Sequence, residues 1–314
     1  VSERWPGLPA PDGIDATSVE AEGEGVTVGV LEGGWAVDAT GAWGHPVLAH
    51  LRTAPPAFNV PFRADHGTRM AGILFGVGPV QGLCPAARPL LVGTFRSSTE
   101  EDLVGALEAA RLAAGDLLLL EAQVRDPRTG LPLPAEADPA VADAVEALVD
   151  RGVVVVAPAG NGGLNLDRVG VPDGEDRRPF DPDHPAFRDT GAILVAAGVR
   201  REGAWVRRRG PGSLGSNHGR RVDAFAWGEG VPVPSFVHRH DGPPRPIVDY
   251  GGETSAAAAI VAGALARLLS WARGRFVVSP RALRMLLRET GTVGEDGIGR
   301  MPDLRRLCAV MESR

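Results

Sequence analysis

Apolar residues run along this chain in two alternating rhythms. Short continuous blocks, several of them β-branched, lie at residues 26–31, 88–94, 117–122, 153–157, 192–198 and 222–226. Blocks of that length and composition predict strands covered on both faces. Between them, helix-like segments occupy residues 66–75, 100–114, 139–151, 255–273 and 280–289. Strands and helices taking turns imply right-handed βαβ crossovers, so the predicted fold class is α/β: a mostly parallel, twisted sheet with helices on both faces, in three layers. The Pro- and Gly-rich stretch at 231–246 and the acidic stretch at 173–183 predict long surface loops. No repeat or low-complexity linker divides the 314 residues. One domain over residues 1–314 is expected, with residues 1–25 an N-terminal extension packed on it.

Composition narrows the function classes. The formal net charge is −6 with both signs scattered, which leaves no basic footprint for nucleic acid, and no such partner is expected. No apolar run approaches the ~20 residues that span a bilayer, and the first residues hold no apolar signal core. The sequence therefore predicts a soluble chain with no membrane partner. It begins at Val1 rather than Met, which leaves the compartment open. Cys84 and Cys308 match no metal-ligand spacing and are expected to be independent thiols.

Three segments carry candidate chemistry. VGVLEGGW ends a strand at Glu32, DHGTRMAGI opens a helix around His66, and GGETSAAAAIVAGA opens another at Ser255. Together they supply an acid, a base and a nucleophile, the inventory of a serine hydrolase, in the order carboxylate, His, Ser. Asn161 follows a further strand, VVVVAPAG. In a parallel sheet, residues after strands and at helix starts face one rim, so the four converge. Taken singly, each has a plainer explanation as a solvated carboxylate, a helix cap or a turn residue. Their joint occurrence is what points to a site. The orienting acid is Glu32 or, six residues on, Asp38, whereas Asp65 beside His66 is expected to be an N-cap.

HGTRMAGI resembles the histidine motif of the subtilisin-like serine proteases (subtilase family, peptidase family S8). TSAAAAIVAG is similar to their serine motif, and VVVVAPAGN to the strand ending in their oxyanion-hole asparagine. GLCPAARPLLVGTF, SNHGRRVDAFAWGEGV and WPGLPAPDGIDA extend the resemblance over nearly the whole chain. The resemblance implies a subtilisin-like fold and peptide-bond hydrolysis through an acyl-enzyme. Ser255 would be the nucleophile, His66 the general base, Glu32 the orienting acid, and the Asn161 side chain with the Ser255 N–H the oxyanion hole. It also implies substrate contacts at Glu121, Ala122, Gln123, Ala159, Gly160 and Thr254, and peptide or protein substrates. A pro-segment or inhibitor is a further partner of the kind the family uses. No cofactor is required by this chemistry. Subtilases often hold structural calcium in acidic loops, and Asp167, Asp173, Asp176, Asp181 and Asp183 are such residues, but no ligand spacing among them singles out a site.

Four positions depart from the family pattern. Glu32, followed by Gly33 and Gly34, stands where the family has Asp-Thr-Gly; Glu253 replaces a Gly two residues before the nucleophile; Glu121-Ala122-Gln123 replaces Ser-x-Gly; and Ala259 replaces a Pro. The extra carboxylates Glu121 and Glu253 predict a preference for basic or polar substrate side chains, or an acid-shifted optimum. The substituted segment suggests a protease specialised for a defined peptide, the alternative being a catalytically weak module that binds peptides or protein partners. Ser213 in PGSLG, and His238 and His240, are set aside as loop residues.

Overall fold

The continuous apolar blocks become the middle of one sheet. The computed structural model of the chain describes residues 5–60, 64–94, 100–170, 178–210, 214–239 and 242–313. In chain order these form β1 (Thr27–Glu32), α1 (Ala64–Phe75), β2 (Arg88–Gly93), α2 (Glu100–Ala109), β3 (Leu117–Leu120), β4 (Gln123–Arg125), β5 (Pro132–Pro134) and α3 (Pro139–Asp150). There follow β6 (Val154–Pro158), β7 (Ile193–Arg201), β8 (Ala204–Arg207), β9 (Ala224–Trp227), β10 (Val231–Arg239), β11 (Gly242–Gly251) and α4 (Glu253–Ala272). The chain closes with α5 (Pro280–Glu289), β12 (Thr292–Val293), β13 (Arg300–Met301) and α6 (Leu304–Glu312).

The sheet order is β12-β13-β9-β7-β6-β3-β1-β2, with β8 pairing β7. All pairs from β2 to β13 are parallel; only β8 and β12 run antiparallel to their neighbours. Every residue of β1, β3 and β6 is buried, as strands covered on both faces require. Helices α1 and α4 pack together against one face, and α2 and α3 pack together on the other. This is the expected α/β class.

Helix α4 is the sheet's principal partner, touching β3, β6, β7 and β9. It is also the one helix, among the described residues, long and apolar enough to cross a membrane, but 89% of that apolar window is buried inside the fold. Ala256, Ala257, Ala258 and Ala259 are wholly buried, and the helix runs unbroken through the position where the family usually has Pro. The N-terminal extension is tied down: Trp5, Ile14, Ala16 and Val19 are buried, and the indoles of Trp205 and Trp227 donate to the carbonyls of Pro11 and Asp12. Cys84 and Cys308 are free thiols.

Two expectations change. Residues 231–239 and 242–246 are not a loop but strands of the β10–β11 hairpin. Pro232, Pro234 and Pro246 fall on one set of alternate pairs, opposite Tyr250, Val248 and Phe236, and a two-stranded ribbon tolerates Pro where the ladder needs no N–H. The second helix stops at Ala109 rather than 114: beyond it Leu112 turns inward, buried, and the chain reverses at Gly115.

Candidate active site

Strand β1 continues through α1 on one face, and β3 continues through α3 on the other. A crevice therefore opens between the carboxyl ends of β1 and β3, where such sheets bind ligands. Glu32 is the last residue of β1, Glu121 follows the last residue of β3, and Asn161 follows β6 by three residues.

His66 reaches this rim from the first turn of α1. The approach is close because position 67 is Gly: a Cβ there would lie 2.2 Å from the Gly34 carbonyl oxygen and 2.9 Å from the Trp35 ring. His66 Nδ1 donates to Glu32 Oε1, a direction fixed by the carboxylate, which only accepts. Glu32 is 7% exposed and His66 48%, so the pair is anchored at the carboxylate and open at the ring. The Glu32 charge raises the imidazole to about 9.

Asp38, the alternative acid, does not face His66. Its exposed carboxylate accepts from Thr40 Oγ1 and from the Thr40 and Ala42 N–H groups, and the Thr40 hydroxyl, the largest of these influences, holds it below the ordinary carboxylate range. Asp65 is not an N-cap either. It lies within the first turn and pairs with Arg69 one turn on, whose guanidinium also reaches Ser235 and Asp249 of the hairpin.

Ser255 is the third residue of α4, buried at 6% exposure in the turn where the helix dipole is positive. It makes no hydrogen bond to His66 in this conformation, a looseness common in ligand-free serine sites. Glu253 explains why Gly suits its position, since its φ is 68°, in the left-handed region, while its carboxylate meets Arg208 at 3.5 Å.

Asn161 is oriented by three bonds. Its Oδ1 accepts from the Thr254 N–H at 3.1 Å and Thr254 Oγ1 at 2.9 Å, and its own N–H donates to Gln123 Oε1 at 3.1 Å. A backbone N–H demands an acceptor, so the amide oxygen faces Thr254 and Nδ2 is left as the donor. Thr254 and Gln123 thus hold Asn161. Ala159 is buried with its N–H on Val195 O and its carbonyl bonded by Asn217 Nδ2, and Gly160 turns at φ 97° against that same amide. Ala122 is buried with its N–H on Leu120 O. Sequence reasoning passed over Asn217, which is fully buried and ties Ala159, Pro132 and Leu164 together behind the Asn161 loop. The only signal was an Asn in a segment already similar to the family.

Glu121 sits buried beside the Glu32–His66 pair, and the donor atoms of the three lie within 4.8 Å of one another. They form the only such metal-capable trio among the described residues. Of the calcium candidates, Asp167, Asp181 and Asp183 are bonded together by Arg220. Asp173, Asp176, Ser213 and His240 lie outside the described residues, and His238 is on β10.

The subtilase family model matches residues 23–301. The chain belongs to the subtilase family. Its class is that of serine proteases acting on peptides or proteins. Among solved structures, this subtilase is similar to the protease domain of PatA (23% identity, 94% of this chain and 98% of that one, TM-score 0.65). It is also similar to the A-subunit of the AB5 toxin from E. coli (18%, 94% and 94%, 0.67) and to the prenylagaramide maturation protease PagA (22%, 96% and 96%, 0.61). At these identities the likeness is one of fold. No curated sequence matches the chain.

Proposed function

We propose that this subtilase is a serine endopeptidase working through an acyl-enzyme on Ser255, with His66 as general base, Glu32 as orienting acid and Asn161 in the oxyanion hole. The observation that carries the reading is the Glu32–His66 hydrogen bond at the rim that Ser255 also faces. Ser255 Oγ attacks the peptide carbonyl as His66 takes its proton; the imidazolium then gives that proton to the leaving amine, and water repeats the sequence. Glu32 reaches one methylene further than Asp, and the neighbouring Gly33 and Gly34 give the backbone room for it. Asn161 Nδ2 and the Ser255 N–H bind the oxyanion; loss of such a side-chain donor costs about 2.7–4 kcal/mol in the transition state, as in subtilisin. Glu121, Ala122 and Gln123 depart from the usual substrate-binding strand, which supports action on a defined peptide. Of the structural neighbours named above, one is the protease domain of PatA and another is a maturation protease, PagA.

Incubation with a peptide library, read by mass spectrometry, tests the reading. Internal cleavage that vanishes in Ser255→Ala is expected, and cleavage that persists in Ser255→Ala would overturn it.

A further inference from the structure

One carboxyl group in the crevice has no part in the triad. Glu121 follows β3, is nine-tenths buried, and neither of its oxygens has a hydrogen-bond partner of good geometry. A buried carboxyl without partners is expensive, and its presence in a site calls for a reason. The hydroxyl that comes close enough to act on it is that of Ser255, and the charges that act on it are His66 and Glu32. The His66 ring, meanwhile, is bonded to Glu32 rather than to Ser255 Oγ. The nucleophile therefore has a second neighbour able to take or give a hydrogen bond.

We propose that Glu121 is a fourth catalytic group, which touches Ser255 and shares with His66 the single proton that defines the working state of the site. This deepens the reading of Ser255 as nucleophile and rests on it. Four protonation states follow, two of them holding a single proton. With a proton on both His66 and Glu121, the site has no free base. With neither protonated, the Glu121 carboxylate competes with His66 for the Ser255 O–H. With one proton, the form that carries it on His66 has no free base, and the form that carries it on Glu121 has a neutral imidazole paired to Glu32. Ser255 then turns its hydroxyl to His66, its proton passes to Nε2 as the Oγ–C bond forms, and the imidazolium protonates the amine as the C–N bond breaks. Glu121 keeps its proton throughout, so the balance of the cycle is unchanged.

The electrostatics bring the two proton affinities close together, with His66 the higher, so the form protonated on Glu121 is the minor of the two one-proton forms. Burial pushes Glu121 up to about 8, with Glu32 adding to the shift and His66 opposing it, and Glu32 and Glu121 both raise His66, to about 9. The charged groups facing the cluster are Glu32 from β1, His66 and Arg69 from α1, and Glu121 from beyond β3; Arg69, held by Asp65 and Asp249, slightly lowers His66. The proposal predicts an optimum on the alkaline side of neutrality, where the extra carboxylates read from sequence alone had suggested an acid shift.

The test is the pH dependence of kcat/KM on a cleaved peptide for the whole chain and for Glu121→Gln, with Glu121→Ala as a second variant. The wild type should give a bell centred between pH 8 and 9. Both variants should lose the alkaline limb, and the acid limb should move down by about one pH unit or more, because His66 then faces one carboxylate. A wild-type profile with a single rising limb, or a bell that persists in both variants, would overturn the proposal. Labelling of Ser255 by a fluorophosphonate, measured alongside, separates the two readings: a labelled serine with an unchanged profile removes Glu121 from the mechanism but leaves the protease reading standing. A thermal melt excludes misfolding of either variant, and the other then carries the result.

Discussion

Two clusters of buried charge flank the same sheet, and only one is balanced. Behind β7 and β9, Asp223 accepts from Arg221, Arg284 and Arg288 and from the Leu194 N–H, while Glu136 accepts from Arg221 and Thr190. Arg221 and Asp223 are fully buried, and only Arg221 Nε lacks a partner. In the crevice, by contrast, two carboxylates flank one imidazole and both oxygens of Glu121 go without partners. A compensated cluster holds elements in register, and removing one member strands the rest. An uncompensated one shifts proton affinities, which is what a catalytic site uses.

Substitutions that separate the two clusters should have opposite signatures. The largest effect is expected from His66→Ala, which should lower peptide hydrolysis by about 10⁴-fold or more at unchanged melting temperature, read as kcat/KM against a folded control. Next, Asp223→Ala leaves three buried or half-buried guanidinium groups short of their anion and should destabilise the fold by about 3–5 kcal/mol in chemical denaturation, with activity intact below the transition. Glu121→Gln should do the reverse, sparing stability and flattening its pH dependence. The folded chain holds the Glu121 proton up to about pH 8, whereas the unfolded chain releases it near the ordinary 4.5, so wild-type stability falls as pH rises across that window. The His66 contribution, with a folded value raised to about 9, is whole below its ordinary 6.5 and is lost as pH rises through 9. Denaturation midpoints from pH 4.5 to 9 should slope less in the variant than in the parent.

Two smaller effects sharpen the same contrast at the surface. Arg220 stands among Asp167, Asp181 and Asp183 where a cation would sit, so calcium or a chelator should leave the melting temperature unchanged, while Arg220→Ala should lower it and make it respond to calcium. Glu253→Gly should raise stability by about 0.5–1 kcal/mol in chemical denaturation, since it removes a left-handed side-chain residue whose ion partner is only half-buried.

Much of this was legible beforehand because buried parallel strands and long amphipathic helices write themselves in blocks. Strand β1, strand β3 and helix α5 stand where the apolar pattern puts them, within a residue or two. The β10–β11 hairpin did not show because its many prolines read as loop, although Pro232, Pro234 and Pro246 fall on alternate pairs that a two-stranded ribbon tolerates. The candidate site was readable as a set of residue types at strand ends and helix starts. What linear sequence could not show was partnership: that Asp38 spends its carboxylate on its own turn, that Gln123 holds the Asn161 backbone, or that Asn217 fastens the loop from behind. Glu121 was visible as a departure, yet its burial beside His66 depends on how β1 and β3 lie next to one another.

The most direct test of the account is intact-mass analysis after fluorophosphonate treatment of the chain and of its Ser255→Ala and His66→Ala variants. A single adduct on the parent, mapped to Ser255 and lost in both variants, is the predicted result. A folded parent that takes up no label, or an adduct that survives Ser255→Ala, would contradict it.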